Sequence, residues 1–189
     1  MSELWTVIGA LAVAALGFLA AIFTKHFDFV LQDKKWHDER KKEVAKEERQ
    51  LAREYETEKR QRIGGFGTKL LEMNHSVNWY CWMAVHVPER FDRELFTEYE
   101  KESHKLWPEV QGALMDVAVF SESAYKALEP NFNEVIKFDS EFSMITEAYL
   151  QKPEQGQSEN FKDLLNRVIL QRSEIDKTVM NTMFSESKV

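Results

Sequence analysis

One cysteine, Cys81, stands alone among 189 residues. That excludes an intramolecular disulfide framework and any zinc site built from several cysteines, and it agrees with a reducing cytoplasm. Proline is scarce at four residues and glycine at seven, three of them crowded into Gly64, Gly65 and Gly67. Long stretches therefore run with nothing to interrupt a helix. No window alternates apolar and polar residues over strand length, so a β-sheet has no pattern to grow from. Positive charge is missing from the start of the chain, where Glu3 is the only charged side chain before Lys25.

What fills that start is an apolar run, Leu4 to Phe23, in which Thr6 is the only polar side chain. A helix of about twenty such residues matches the roughly 30 Å hydrocarbon core of a bilayer. Export signals carry cations ahead of their apolar core, whereas here Lys25, Lys34, Lys35, Arg40, Lys41 and Lys42 all follow it. The flanks predict an uncleaved single-pass anchor, expected in the cell inner membrane, and the positive-inside rule predicts the N-terminus outside and the bulk of the chain cytoplasmic. Within the run, Ala10, Ala14, Gly17, Ala21 and Thr24 recur at alternating steps of four and three. Small residues on one helical seam let backbones approach in lipid, so the span is expected to self-associate into a homo-oligomer.

From Asp33 to Arg62, 20 of 30 residues are charged, none is Gly or Pro, and the net charge is +2. Strong helix formers dominate, and Asp38 with Lys42, Glu56 with Arg60 and Glu58 with Arg62 stand at helical spacing. Val44, Leu51 and Tyr55 keep a sparse a/d pattern, which points to a solvated or weakly coiled-coil stalk. The glycines at 64–67 then read as a hinge. Residues 68–189 carry 13 Lys or Arg against 21 Asp or Glu, an acidic balance that argues against general nucleic-acid binding.

Beyond the hinge the apolar spacing is helical throughout. Leu70, Met73, Val77, Tyr80, Ala84 and Val87 mark one helix, with Thr68 as N-cap and Pro88 as its stop. Phe91, Leu95, Tyr99 and Leu106 mark a second ending at Pro108, which opens a third along Val110, Leu114, Val117, Phe120 and Leu128. Pro130 closes that one. Val135, Phe138, Phe142, Ile145 and Tyr149 outline a fourth helix, and Phe161, Leu165, Val168, Ile175 and Val179 a fifth after the polar loop from Gln151 to Asn160. The expected fold is all-α, with anchor and flank at 1–31, stalk at 32–63, hinge at 64–67, and a cytosolic antiparallel bundle of four or five helices at 68–189.

Catalytic chemistry finds little footing. Glu72 and His75 share the spacing of a helical metal pair, but no second such pair exists, so no metal or cofactor is expected. Cys81 reads as a buried structural thiol and no acid, base and nucleophile converge, so the protein is expected not to be an enzyme. The segment from Asn74 to Trp82 is the densest in unusual chemistry. Asn74, His75, Asn78, Trp79 and Trp82, with Arg90 and Arg93 nearby, carry rings and polar groups that suit bundle core or oligomer packing first, and otherwise a surface for a cytosolic protein partner or a small nucleotide.

Two functions follow from this layout. In one, the self-associating span and stalk couple a helical sensor or partner-binding domain to the lipid bilayer, as a scaffold or signalling component. In the other, the span is itself a membrane-perturbing effector. That second plan resembles, in layout alone, small membrane effectors of prokaryotic antiviral defence, some of them gated by nucleotide second messengers.

Overall fold

The computed structural model describes the backbone of residues 2–152 and 158–184, with side chains at all of these except 2–7 and 10–15. It is all-helical, and no strand occurs among the described residues. Helix α1 is Ser2–His86, a 3₁₀ turn spans Pro88–Arg90, α2 is Arg93–Phe120, α3 is Glu122–Gln151 and α4 is Ser158–Phe184. The chain divides into two compact units, Met1–Glu54 and Tyr55–Val189.

In the first unit the described side chains are exposed, apart from a half-buried Ala45. Local contacts decorate the helix: Thr24 Oγ1 donates to the Ala20 carbonyl at 2.8 Å, Gln50 to Glu54 at 2.9 Å, and the Arg40 guanidinium lies 5.1 Å over the Trp36 ring. Of the expected seam, Gly17 and Ala21 are exposed, while the side chains of Ala10 and Ala14 lie outside the described residues. The expected span from Leu4 to Phe23 likewise includes positions 4–7 and 10–15. Among the described residues no helix is long and apolar enough to cross a membrane.

The second unit is an up-and-down four-helix bundle, and its cross-helix pairs define the topology. Tyr80 meets Tyr99, Lys69 meets Glu109 and Tyr55 meets Phe120, so α2 runs antiparallel to α1. Ser103 with Asp139 and Trp107 with Phe132 set α3 against α2; Glu141 with Arg167 and Asn131 with Gln171 set α4 against α3. Asn74 reaches the Val168 carbonyl at 3.2 Å and closes the ring between α4 and α1.

Two clusters fill the interior. One is mostly aliphatic, with Ile63, Leu70, Leu114, Leu128, Val135 and Ile175 among its members. The other is aromatic and centres on Phe142, whose ring lies 4.5 Å from Tyr99, 5.9 Å from Phe161 and 6.2 Å from Phe91.

Glycine does not break α1. The helix runs through 64–67, and the bundle unit begins at Tyr55 instead of after the expected hinge. Ile63, Phe66 and Gly67 are buried. A Cβ on Gly67 would stand 2.9 Å from both methyl groups of Val179, so the missing side chain is what lets α4 approach. Thr68 is no cap here; its hydroxyl turns back to the Gly64 carbonyl at 3.0 Å. Arg62 pairs with Glu58 as its spacing predicts, at 2.8 Å, yet the same guanidinium lies 4.1 Å over the Phe120 ring.

Proline misplaces two more boundaries. Pro108 lies inside α2 and Pro130 inside α3, where each removes one intrahelical N–H at a cost of about 3 kcal/mol. Burial on both sides of each proline offsets that cost: Phe96 and Tyr99 precede Pro108 and Val110, Leu114 and Val117 follow it on one buried side of α2. The actual break is Ser121, extended at φ −155° and ψ 107°. Its N–H reaches the Val117 carbonyl at 2.9 Å to end α2, and its Oγ accepts from the Ala124 N–H at 3.2 Å to begin α3. The five expected helices thus resolve into the last part of α1 and three others.

Candidate functional site

Helical geometry splits the segment from Asn74 to Trp82 in two. Positions 74, 77, 80, 81 and 84 turn inward. Asn74 is therefore part of the core: Nδ2 donates to Val168, and Oδ1 is buried with no partner among the described residues. Burial pushes the Cys81 thiol far above its ordinary range, which keeps it in the unreactive protonated form.

His75, Trp79, Trp82 and His86 turn outward at steps of four, three and four. The Trp79 and Trp82 indoles stack at 5.5 Å with planes 12° apart, and the His86 ring lies 5.0 Å from Trp82, tilted by 32°. Trp79 remains 48% exposed and Trp82 38%. Asn78 is half-buried at the edge of this ledge, and Arg90 is exposed on the 3₁₀ turn. Arg93 is engaged elsewhere. Its guanidinium grips Glu147 at 2.6 and 3.0 Å, an arrangement that holds the Glu147 carboxyl below its ordinary value and raises the guanidinium. The structure thus unites His75, Trp79 and Trp82 on one face and removes Asn74 and Arg93 from it.

A second feature is a groove of about 410 Å³ between α2 and α3. At its base, Asp139 Oδ1 accepts from the Tyr99 hydroxyl and from Ser103 Oγ, the latter at 2.6 Å. Burial, then the Asp139 charge, pushes the Tyr99 phenol well above its ordinary value, so it serves as a donor. Trp107 walls the groove and is held edge-on against Phe132 at 5.8 Å. His104 Nδ1 lies 2.6 Å from the Glu100 carbonyl, which places the proton on that nitrogen. The apolar spacing predicts Tyr99 as core and Pro108 as a helix boundary, and no sequence motif marks Ser103, His104 or Asp139. The available signal was polarity at an inward position: Ser103 follows Tyr99 by one helical turn, and both are buried.

No group of His, Cys, Asp and Glu able to hold a metal ion occurs among the described residues. Fold and surface together describe an up-and-down helical bundle with an aromatic ledge on one helix and an acidic, aromatic-walled groove between two others. Comparison with protein-family models, curated proteins and solved structures finds no significant match to the chain.

Proposed function

We propose that this is a non-enzymatic, single-pass protein of the inner membrane whose cytoplasmic bundle receives a protein partner on the outer face of α1, as a scaffold or signalling component. The observation that carries this reading is the stacked pair Trp79 and Trp82, left in water on the same helix that contains the apolar run from Leu4 to Phe23. Tryptophan is over-represented among the residues that dominate binding energy at interfaces, and a rigid exposed pair presents a large apolar area at small entropic cost. Self-association through Ala10, Ala14, Gly17 and Ala21 belongs to the same reading; a Cβ on Gly17 would meet nothing within 4 Å, so that surface is open to a neighbouring helix.

The whole chain is expected to remain with membranes after an alkaline wash, and a chain lacking residues 1–31 to be released. Recovery of the whole chain in the soluble fraction sinks the membrane part. For the partner, a photo-crosslinking residue at position 75 should give one discrete adduct in cells that disappears when Trp79 and Trp82 are both alanine. No adduct, or one indifferent to the two tryptophans, sinks the docking part.

The effector reading draws on the small-residue seam, and a membrane-potential dye separates it from a scaffold: depolarisation on overexpression that requires residues 1–31 favours the effector. Gating by a nucleotide draws little support from the bundle, because Arg93 is held by Glu147 and the α2–α3 groove presents carboxylates where phosphates would have to sit.

A further inference from the structure

We propose that the groove between α2 and α3 binds a small primary amine, its ammonium group held between Asp139 and Glu100 and its apolar stem laid against Trp107 and Pro108. The cavity, at about 410 Å³, falls within the range of roughly 300 to 1,000 Å³ typical of small-molecule sites. Its lining residues include Asp139, Glu100, Ser103 and Ser143, all of which carry acceptors, and the turn that Pro108 interrupts. Pro108 has no N–H to give the His104 carbonyl four residues earlier, so that oxygen lacks its usual helical donor. Neither Lys nor Arg lines the groove; the Arg93 guanidinium, which feels the Glu100 charge, is paired with Glu147.

Tyr99 and Ser103 both donate to one oxygen of Asp139, which fixes the carboxylate and leaves Oδ2 without a donor among the described residues. A primary ammonium brings three N–H donors and a positive charge to this site; a quaternary ammonium brings no donor and an anion brings the wrong sign. The indole of Trp107 offers a face for either the cation or its stem. This inference concerns the bundle alone and does not depend on the membrane or docking readings.

The test is calorimetric titration of the full chain in a non-ionic detergent with 2-phenylethylamine, and with 2-phenylethanol as its uncharged counterpart. The amine should bind saturably and the alcohol about tenfold more weakly or not at all, the difference expected for hydrogen bonds to a charged group. Asp139→Asn keeps an acceptor for Tyr99 and Ser103 while removing the charge, and should lose about tenfold in amine affinity with its melting midpoint near wild type. Absence of amine binding, equal binding of the alcohol, or undiminished binding by Asp139→Asn overturns the proposal. Should Asp139→Asn fail to fold, Glu100→Gln decides in its place: a severalfold loss supports the site and unchanged affinity overturns it.

Discussion

The described residues of the first unit, 1–54, and of the second, 55–189, adopt helix for different physical reasons. In the first unit the described side chains contribute almost nothing to a core, so the helix rests on intrinsic propensity and on neighbours three or four positions away. In the second, each helix gives inward residues to both clusters, and residues with poor propensity are tolerated where packing rewards them. Gly64, Gly65, Gly67, Pro108 and Pro130 all lie inside helices of the bundle. Propensity governs a helix that has nothing to pack against, and tertiary burial overrides it in one that does.

The sharpest way to break this contrast is to remove a ring from the core. Phe142, 0% exposed at the centre of the aromatic cluster, should cost about 3 to 5 kcal/mol of unfolding free energy as Phe142→Ala. Leu51, 65% exposed, should cost less than about 0.5 kcal/mol as Leu51→Ala. Similar denaturant midpoints for the two variants would erase the distinction between the units.

Glycine tests the same idea within one helix. Alanine at 65 meets nothing within 4 Å and should stabilise by about 0.5 to 1 kcal/mol through helix propensity. Alanine at 67 gains the same propensity but drives its Cβ into Val179, a stiff β-branched side chain with a methyl on either side of the contact. Overpacking costs about 1 to 3 kcal/mol, so Gly67→Ala should come out destabilised by about 1 kcal/mol. Stabilisation by both substitutions would return the glycines to the role of a simple flexible joint.

The smallest effect belongs to surface charge. Glu147 has its carboxyl lowered by Arg93, so its contribution is present above the ordinary carboxylate range and is lost as pH falls through the lowered value. Wild type should exceed Glu147→Gln in melting temperature by a small margin at neutral pH in low salt, and the margin should close on acidification or in high salt. A gap that persists in acid would mean that Glu147 acts through packing instead of charge.

Much of the bundle was legible because helical periodicity survives any choice of helix ends. Leu70, Met73, Val77, Leu114, Val135, Phe142, Val168 and Ile175 are inward in the pattern and buried in the structure. The ends were read from glycine and proline, which report local cost and say nothing of what burial offsets. Ser121 carried the true signal at the α2–α3 boundary, a hydroxyl three residues before the N–H it caps, but it stands within a longer apolar pattern that Pro108 and Pro130 bracket in the sequence. The aromatic ledge was half legible: the rings were visible in the sequence, while helical phase put Asn74 inside and Trp79 outside. The groove was not legible, since Asp139 and Ser103 stand 36 positions apart and meet only when α3 folds back on α2.

The sequence alone determines that the chain is helical, that its charge changes sign between segments, and that its inward faces are apolar, because these depend on neighbours within one or two turns. Only the tertiary structure decides where helices end, which glycine is a contact, and which polar groups converge, because these depend on atoms that packing brings together from distant parts of the chain.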